Sequence, residues 1–203
     1  MNRVADALRR VVDVIAAVAG LALLSPILLL TAVLIRVRMG SPVLFRQQRL
    51  GRRGRPFAVL KFRSMHAPAE GFEGPEFDHR RLGRLGRTLR ATSLDELPSL
   101  VNLLRGEITL VGPRPLPVHY LPRFNAEQRR RFDVKPGITG LAQVAGRNAV
   151  DWPERLALDV EYVRTRSLRL DLLLLLRTVP MVVRRTGVDQ ADGVTMTELP
   201  PQG

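Results

Sequence analysis

From Val14 to Ile35 the chain carries no charged residue, and Ser25-Pro26 stands near the middle of that stretch. A helix over these residues would rise about 33 Å at 1.5 Å per residue, enough to cross a hydrocarbon core of about 30 Å. A cleaved signal peptide is a poor description. The apolar run is longer than a usual h-region, and Arg36-Val37-Arg38 follows it where small cleavage-site residues should stand. Arg3, Arg9 and Arg10 precede the run while Arg36, Arg38, Arg46 and Arg49 follow it, so the positive-inside rule draws both ends to the same face. Pro26 lacks an amide donor and clashes with the preceding turn, which favours a bend, and Ser25 can bond a carbonyl freed near Leu21 or Ala22. Charge and kink together describe a re-entrant helix, with an ordinary kinked transmembrane helix as the alternative.

The formal net charge is +13, and Lys61 and Lys135 are the only lysines, so the excess is almost wholly guanidinium, which favours bidentate binding of phosphate. Nucleic acid, anionic lipid and nucleotides all satisfy that preference. Aromatic residues make up only 5% of the chain and no recognition module is visible, which argues against nucleic acid. The absence of cysteine excludes a disulfide framework, a thiol nucleophile and a cysteine metal site.

Against this basic background Thr92-Ser93-Leu94-Asp95-Glu96-Leu97-Pro98 places two adjacent carboxylates at a helix start. A carboxylate can attack phosphorus, its neighbour can hold a divalent metal, and arginines can bind the anionic substrate. Ser93 and Glu96 also fit an S-x-x-E capping box, a purely structural use of the same residues. Pro98 would cost a hydrogen bond past the first turn of a helix capped by Ser93, so the helix starts either there or at Pro98 itself.

The remaining pattern is α+β and mainly helical. Val43-Leu44-Phe45 and Phe57-Ala58-Val59-Leu60 flank a turn at residues 51–56 and predict a hairpin over 43–65 close to the membrane surface. Pro68 to His79 has no periodicity and reads as a loop able to order over substrate. Helical patterns cover Leu82–Arg90, Ser93–Arg105, Ala126–Phe132, Pro153–Arg166 and Leu168–Arg185, with Asn125 and Asp151 as N-caps. Leu172 to Leu176, bracketed by arginines, suits an interfacial helix or a buried core helix equally. The expected organisation is a membrane-embedded helix over 1–40, a catalytic domain over 41–186 and a polar tail over 187–203.

Taken together and in order, Lys61-Phe62-Arg63-Ser64-Met65, Leu89-Arg90-Ala91-Thr92-Ser93-Leu94-Asp95-Glu96-Leu97-Pro98, Gly112-Pro113-Arg114-Pro115 and Lys135-Pro136-Gly137-Ile138-Thr139-Gly140 form a specific set. The chain resembles the bacterial sugar transferases known as monotopic phosphoglycosyltransferases, from the segment with Ser25-Pro26 to about Arg185. The resemblance implies transfer of a sugar phosphate from a nucleotide diphosphate sugar, usually a UDP-sugar, to undecaprenyl phosphate, with release of UMP. It also implies a bacterial inner-membrane location with the catalytic domain on the cytoplasmic face. Asp95 matches the nucleophile that forms an aspartyl phosphosugar intermediate, and Glu96 matches the acid associated with Mg2+. Arg114 matches the phosphate-binding arginine of the Pro-Arg-Pro motif, and Lys61 and Arg90 match basic residues of the active site. Arg147-Asn148 and the Pro136–Gly140 loop are further candidates for the phosphate pocket, although glycine and proline also simply make turns. Asp159, Tyr162 and Asp171 lie in family-like surroundings that packing roles explain equally.

Ala142 departs from the family, many of whose members carry tryptophan after the Gly-Leu pair, and the chain matches the small form of anchor plus catalytic domain. Anionic membrane lipid is an expected partner, and a homodimer is an open assembly state. The competing reading from another class is a non-enzymatic basic adaptor that binds anionic lipid, since each juxtamembrane cation contributes about 1 kcal/mol at an anionic surface. That reading accounts for charge and hydrophobicity but not for the ordered motifs.

Overall fold

The computed structural model describes residues 3–67, 81–146, 150–184 and 198–200. The segment Pro68 to His79, expected to be a loop, and the Arg147-Asn148 pair lie outside the described residues. Helix α1 runs Arg3–Met39 and is broken where the sequence places proline. Its two parts, Arg3–Leu23 and Ser25–Met39, meet at a bend of 62°. Ser25 Oγ donates to the Ala22 carbonyl at 2.8 Å, satisfying an acceptor next to the break. Among the described residues no single helix is long and apolar enough to cross a membrane, whereas this bent pair together meets length and composition.

One face of each half of α1 packs on the rest of the protein. Ala17 joins Leu103 and Ile108, and Ile35 joins Phe62 and Leu89. Burying a side chain of Ile or Leu size contributes about 1.5–3 kcal/mol, so both halves are held, each against a different patch. The other face leaves Val4, Ile15, Leu23, Leu29, Leu30 and Val37 exposed. Such a continuous apolar surface marks an interaction with lipid or protein rather than with water.

Strands β1 (Leu44–Leu50) and β2 (Pro56–Phe62) form the expected antiparallel hairpin, with Leu44 opposite Phe62 and Leu50 opposite Pro56. Helix α2 (Arg84–Ala91) follows, then a short 3-10 turn over Leu94–Glu96 and helix α3 (Ser99–Arg105). The expected helix from Ser93 to Arg105 is therefore two pieces, and the start at Pro98 is the one adopted: Pro98 is the N-cap of α3. Ser93 makes no side-chain capping bond and sits at φ 58°, so the capping box with Glu96 does not form.

The sequence pattern does not reveal strands β3 (Thr109–Val111) and β4 (Gly137–Thr139), which pair in parallel. The segment expected as a Pro/Gly loop is thus a strand, too short for periodicity to mark it. Its glycines serve close approach. A Cβ on Gly137 would lie 2.1 Å from the Gly112 amide, and one on Gly112 would lie 2.5 Å from the Lys135 carbonyl. The Gly137 amide donates to the Pro113 carbonyl at 2.9 Å, which fastens the Gly112–Pro115 loop to β4.

Helix α4 (Leu141–Gly146) leads to α5 (Trp152–Thr165) and α6 (Leu168–Arg184). Asp151 caps α5 by accepting from the Glu154 amide at 2.9 Å. Asn125 and Gln128 bond each other's amides reciprocally, but the turn they open is 3-10 over Gln128–Asp133, not the α-helix expected over Ala126–Phe132. In α6 Leu174 is fully buried while Leu172, Leu173 and Leu176 are exposed, so the leucine run is divided between a core face and an outer face. Of the tail expected to be polar, residues 198–200 are described, and Leu199 among them packs with Tyr120, Phe124 and Trp152.

Two buried polar contacts join distant parts. Arg131 pairs with Asp159 at 2.6 Å with both side chains almost fully buried, and Arg131 also donates to the Arg114 carbonyl at 2.8 Å. Tyr162 donates to the Val111 carbonyl and to Asp171, whose other oxygen accepts from Arg9 of α1. Removing one member of a buried pair leaves an uncompensated charge, so Asp159→Ala should cost about 3–5 kcal/mol in denaturant unfolding. The double variant Arg131→Met/Asp159→Ala should recover part of that loss.

Candidate active site

The chain brings the predicted site residues together from four separate segments. Asp95 and Glu96 sit on the 3-10 turn between α2 and α3, just before the N-terminus of α3. Lys61 comes from β2, Arg90 from the last turn of α2, and Arg114 from the loop after β3. The left-handed backbone at Ser93 and the amide bond from Ser93 to the Arg90 carbonyl turn the chain sharply out of α2, presenting the two carboxylates one after the other.

Glu96 is the hub. Its Oε1 accepts from Lys61 Nζ at 2.6 Å and from Arg114 Nη2 at 3.0 Å. Lys61 and then Arg114 hold the Glu96 carboxyl well below the usual carboxylate range despite its burial. Asp95, 8% exposed, behaves in the opposite way. Burial first and the neighbouring Glu96 charge second push it up to about 6, against the pull of Lys61, Arg90 and Arg114. Adjacent acids with opposite shifts are the pattern of two groups given different tasks.

Three residues that sequence reasoning did not single out support this arrangement. Asn102 of α3 is fully buried, accepts from the Leu60 amide at 2.9 Å and donates to the Ala58 carbonyl at 2.7 Å. Its amide takes the place of a neighbouring strand and locks β2, with Lys61 next along it, onto the helix that follows the two acids. Ser64 accepts from Arg90 Nε at 3.0 Å and so orients that guanidinium. Arg49 of β1 contacts the Pro115 carbonyl, and burial together with the Arg114 charge pushes it down to about 10. A buried Asn in a helix and an Arg in a hairpin carry no sequence signal of such roles, because their partners lie 42 and 66 residues away. Arg147 lies outside the described residues.

No group of three or more metal-ligating side chains occurs among the described residues. The donor set still suits Mg2+, which binds through one or two carboxylates and completes its shell with water and substrate phosphates. Asp95 and Glu96 are adjacent, and both cations on Glu96 bond the same oxygen, Oε1.

The chain belongs to the bacterial sugar transferase family, whose description matches residues 4–185. It is 45% identical over 188 residues to an uncharacterized sugar transferase, EpsL, of Bacillus subtilis, covering 93% of each chain. It is 44% identical to a UDP-glucose:undecaprenyl-phosphate glucose-1-phosphate transferase of Caulobacter vibrioides, covering 88% of this chain and 70% of the relative. An undecaprenyl-phosphate galactose phosphotransferase of Salmonella typhimurium is 36% identical over 89% of this chain and 41% of its own length. By class, then, the protein is an enzyme, a phosphoglycosyltransferase, and not a basic adaptor.

The opposed shifts of the two acids set a test. An Asp95 carboxyl raised from 3.8 to about 6 contributes stability that is complete below pH 4 and is lost as pH rises through 6. At about 1.4 kcal/mol per pKa unit, Asp95→Asn should be more stable than the parent by roughly 2–3 kcal/mol at pH 8 in the presence of chelator. The two proteins should converge near pH 4. Thermal or denaturant unfolding at both pH values checks this, and equal stability at pH 8 would mean that Asp95 carries no burial cost.

Proposed function

We propose that this protein transfers a sugar 1-phosphate from a nucleotide diphosphate sugar, in particular a UDP-sugar, to undecaprenyl phosphate at a membrane. The observation that carries the reading is the convergence of Lys61, Arg90 and Arg114, from three different motifs, on the Asp95-Glu96 pair. The printed activities of the Caulobacter and Salmonella relatives support the donor and acceptor classes.

In this mechanism an Asp95 oxygen attacks the phosphorus nearest the sugar. The bond from that phosphorus to the bridging oxygen breaks, and UMP leaves with the electron pair. A covalent aspartyl phosphosugar remains. An oxygen of the lipid phosphate then attacks the same phosphorus, releasing the Asp95 carboxylate and forming the lipid diphosphate sugar. Arg114 and Lys61 stand where they can exchange part of their bonding with Glu96 for bonding to substrate phosphate, stabilising the charge that develops. Asp95 attacks as the carboxylate, the form that the positive charges of Lys61, Arg90 and Arg114 favour. Glu96 would hold Mg2+, which when bound would neutralise charge on the substrate's diphosphate and on the departing UMP.

The bend at Ser25-Pro26 supports a re-entrant α1, with residues 1–40 embedded, the catalytic domain of 41–186 on the cytoplasmic face of the inner membrane, and anionic lipid around it. A helix that returns to its own side keeps the flanking arginines off the far face and leaves both halves of α1 packed on the domain.

Incubation of the purified protein and Mg2+ with a panel of radiolabelled UDP-sugars and undecaprenyl phosphate should move label into lipid. Asp95→Asn should abolish both turnover and the trapped adduct while remaining folded; near-parental activity would refute the nucleophile. Arg114→Ala should lose about 2–5 kcal/mol of transition-state stabilisation, and Arg114→Lys should recover only part because the planar fork is gone.

For topology, single cysteines at Asn2 and Ser41 in this cysteine-free chain should both resist an impermeant external thiol reagent and both label after permeabilisation. Labelling of Asn2→Cys in intact spheroplasts would establish a spanning helix.

A further inference from the structure

At the end of α3 away from the two acids lies a second cationic site that the proposed chemistry does not use. Arg10 of α1 donates to the Leu103 and Leu104 carbonyls at 2.8 and 2.6 Å, so it stands at the C-terminal end of α3, whereas Asp95 and Glu96 precede its N-terminus. Beside Arg10 a cavity of about 140 Å³ is lined by Arg9, Arg52, Lys135 and Arg166 as well. That volume admits more than a single ordered water.

Two acids also line the cavity, and both are already engaged. Asp13 accepts from Thr109 Oγ1 at 3.1 Å and from the Leu110 amide at 2.9 Å. Asp6 accepts from Arg9 at 3.2 Å and from Arg166 at 2.9 Å. Arg9 further binds Asp171 just outside the lining set. With Asp171 counted beside the two lining acids, five cations face three carboxylates, a surplus of two positive charges.

Arg9 and Arg166 are engaged by carboxylates, whereas Arg10 and Arg52 donate to backbone carbonyls, which do not neutralise them. Burial, and next the Arg10 charge, lower the Lys135 pKa, as expected for an ammonium facing other cations. The required ligand is an anion with several acceptor oxygens, small enough for the cavity. On the same elements that supply Arg9, Arg10 and Asp13 and that follow Arg166, the apolar residues Leu8, Val12, Leu168 and Leu172 are exposed, a surface fit for lipid.

We propose that this cavity is a phosphate-binding site, separate from the Asp95-Glu96 centre, that ties α1 to the domain through a bound phosphate group. The group is carried either by a phospholipid head group or by a soluble phosphate compound. The inference does not depend on the donor, acceptor or nucleophile proposed above.

The test uses the full chain in phosphatidylcholine nanodiscs, with the thermal midpoint followed by Trp152 fluorescence. One arm titrates inorganic phosphate against chloride of equal ionic strength; the other replaces roughly a fifth of the lipid with phosphatidylglycerol. Because Lys61, Arg90 and Arg114 also attract phosphate, both arms are repeated in Arg114→Ala. The parent and Arg114→Ala should both be stabilised. Lys135→Met and Arg52→Glu should weaken the apparent affinity at least about tenfold in the arm that responds.

A response to phosphatidylglycerol alone assigns a lipid head group, and a response to inorganic phosphate assigns a soluble ligand. Arg52 is exposed at the rim, so its variant carries the test even where Lys135→Met fails to fold. The proposal is overturned if the parent is stabilised in neither arm. It is equally overturned if folded Arg52→Glu titrates like the parent in both, or if Arg114→Ala alone removes the effect.

Discussion

One carboxylate oxygen organises this protein. Glu96 Oε1 receives the ammonium of Lys61 from the hairpin and the guanidinium of Arg114 from the loop after β3, so a single acceptor joins the charged tips of three segments that backbone contacts already hold together. All three side chains are only partly buried, and each cation bonds the same carboxylate oxygen. The same arrangement leaves Asp95, one residue earlier, with burial and a neighbouring negative charge as its dominant influences. Two identical functional groups thereby acquire different properties from position alone.

Rigidity around that oxygen comes from backbone contacts that act almost like covalent fittings. Gly112 and Gly137 let β3 and β4 approach so closely that no side chain fits between them, and Arg114 follows Gly112 by two residues. On its other side Arg114 is held through its carbonyl by Arg131, which Asp159 fixes in turn. The hairpin is held the same way, by the amide of Asn102 bonding β2 as a neighbouring strand would. Each device fixes a charged side chain through the main chain beneath it, leaving the charged tip able to change partners.

The bent helix belongs to the same construction. Its halves pack on different hydrophobic clusters, and its first turns reach Asp171 through Arg9 and the end of α3 through Arg10. A straight helix could not cover both patches. The break at Pro26 is therefore as much a requirement of the domain's packing as of the lipid environment that the exposed leucines and valines suit.

The sequence by itself determined a good deal. Proline in an uncharged run dictates a bend, two β-prone runs around a Gly-rich turn dictate the hairpin, and Asp151 dictates its cap, because each of these effects is decided within a few residues. The short motifs also marked Lys61, Arg90, Asp95, Glu96 and Arg114 as candidates before any geometry was available. Tertiary structure alone decided what those residues do to one another. The capping box at Ser93 was locally reasonable, yet two cations from distant segments outcompete one amide for the Glu96 carboxylate, and Ser93 is used for a left-handed turn instead. The three-residue strands, the Asn102 clamp, the buried Arg131–Asp159 pair and the return of Leu199 to the core were invisible for one reason. Each depends on partners dozens of residues away, and nothing in local propensity encodes a contact whose free energy appears only when the chain has closed on itself.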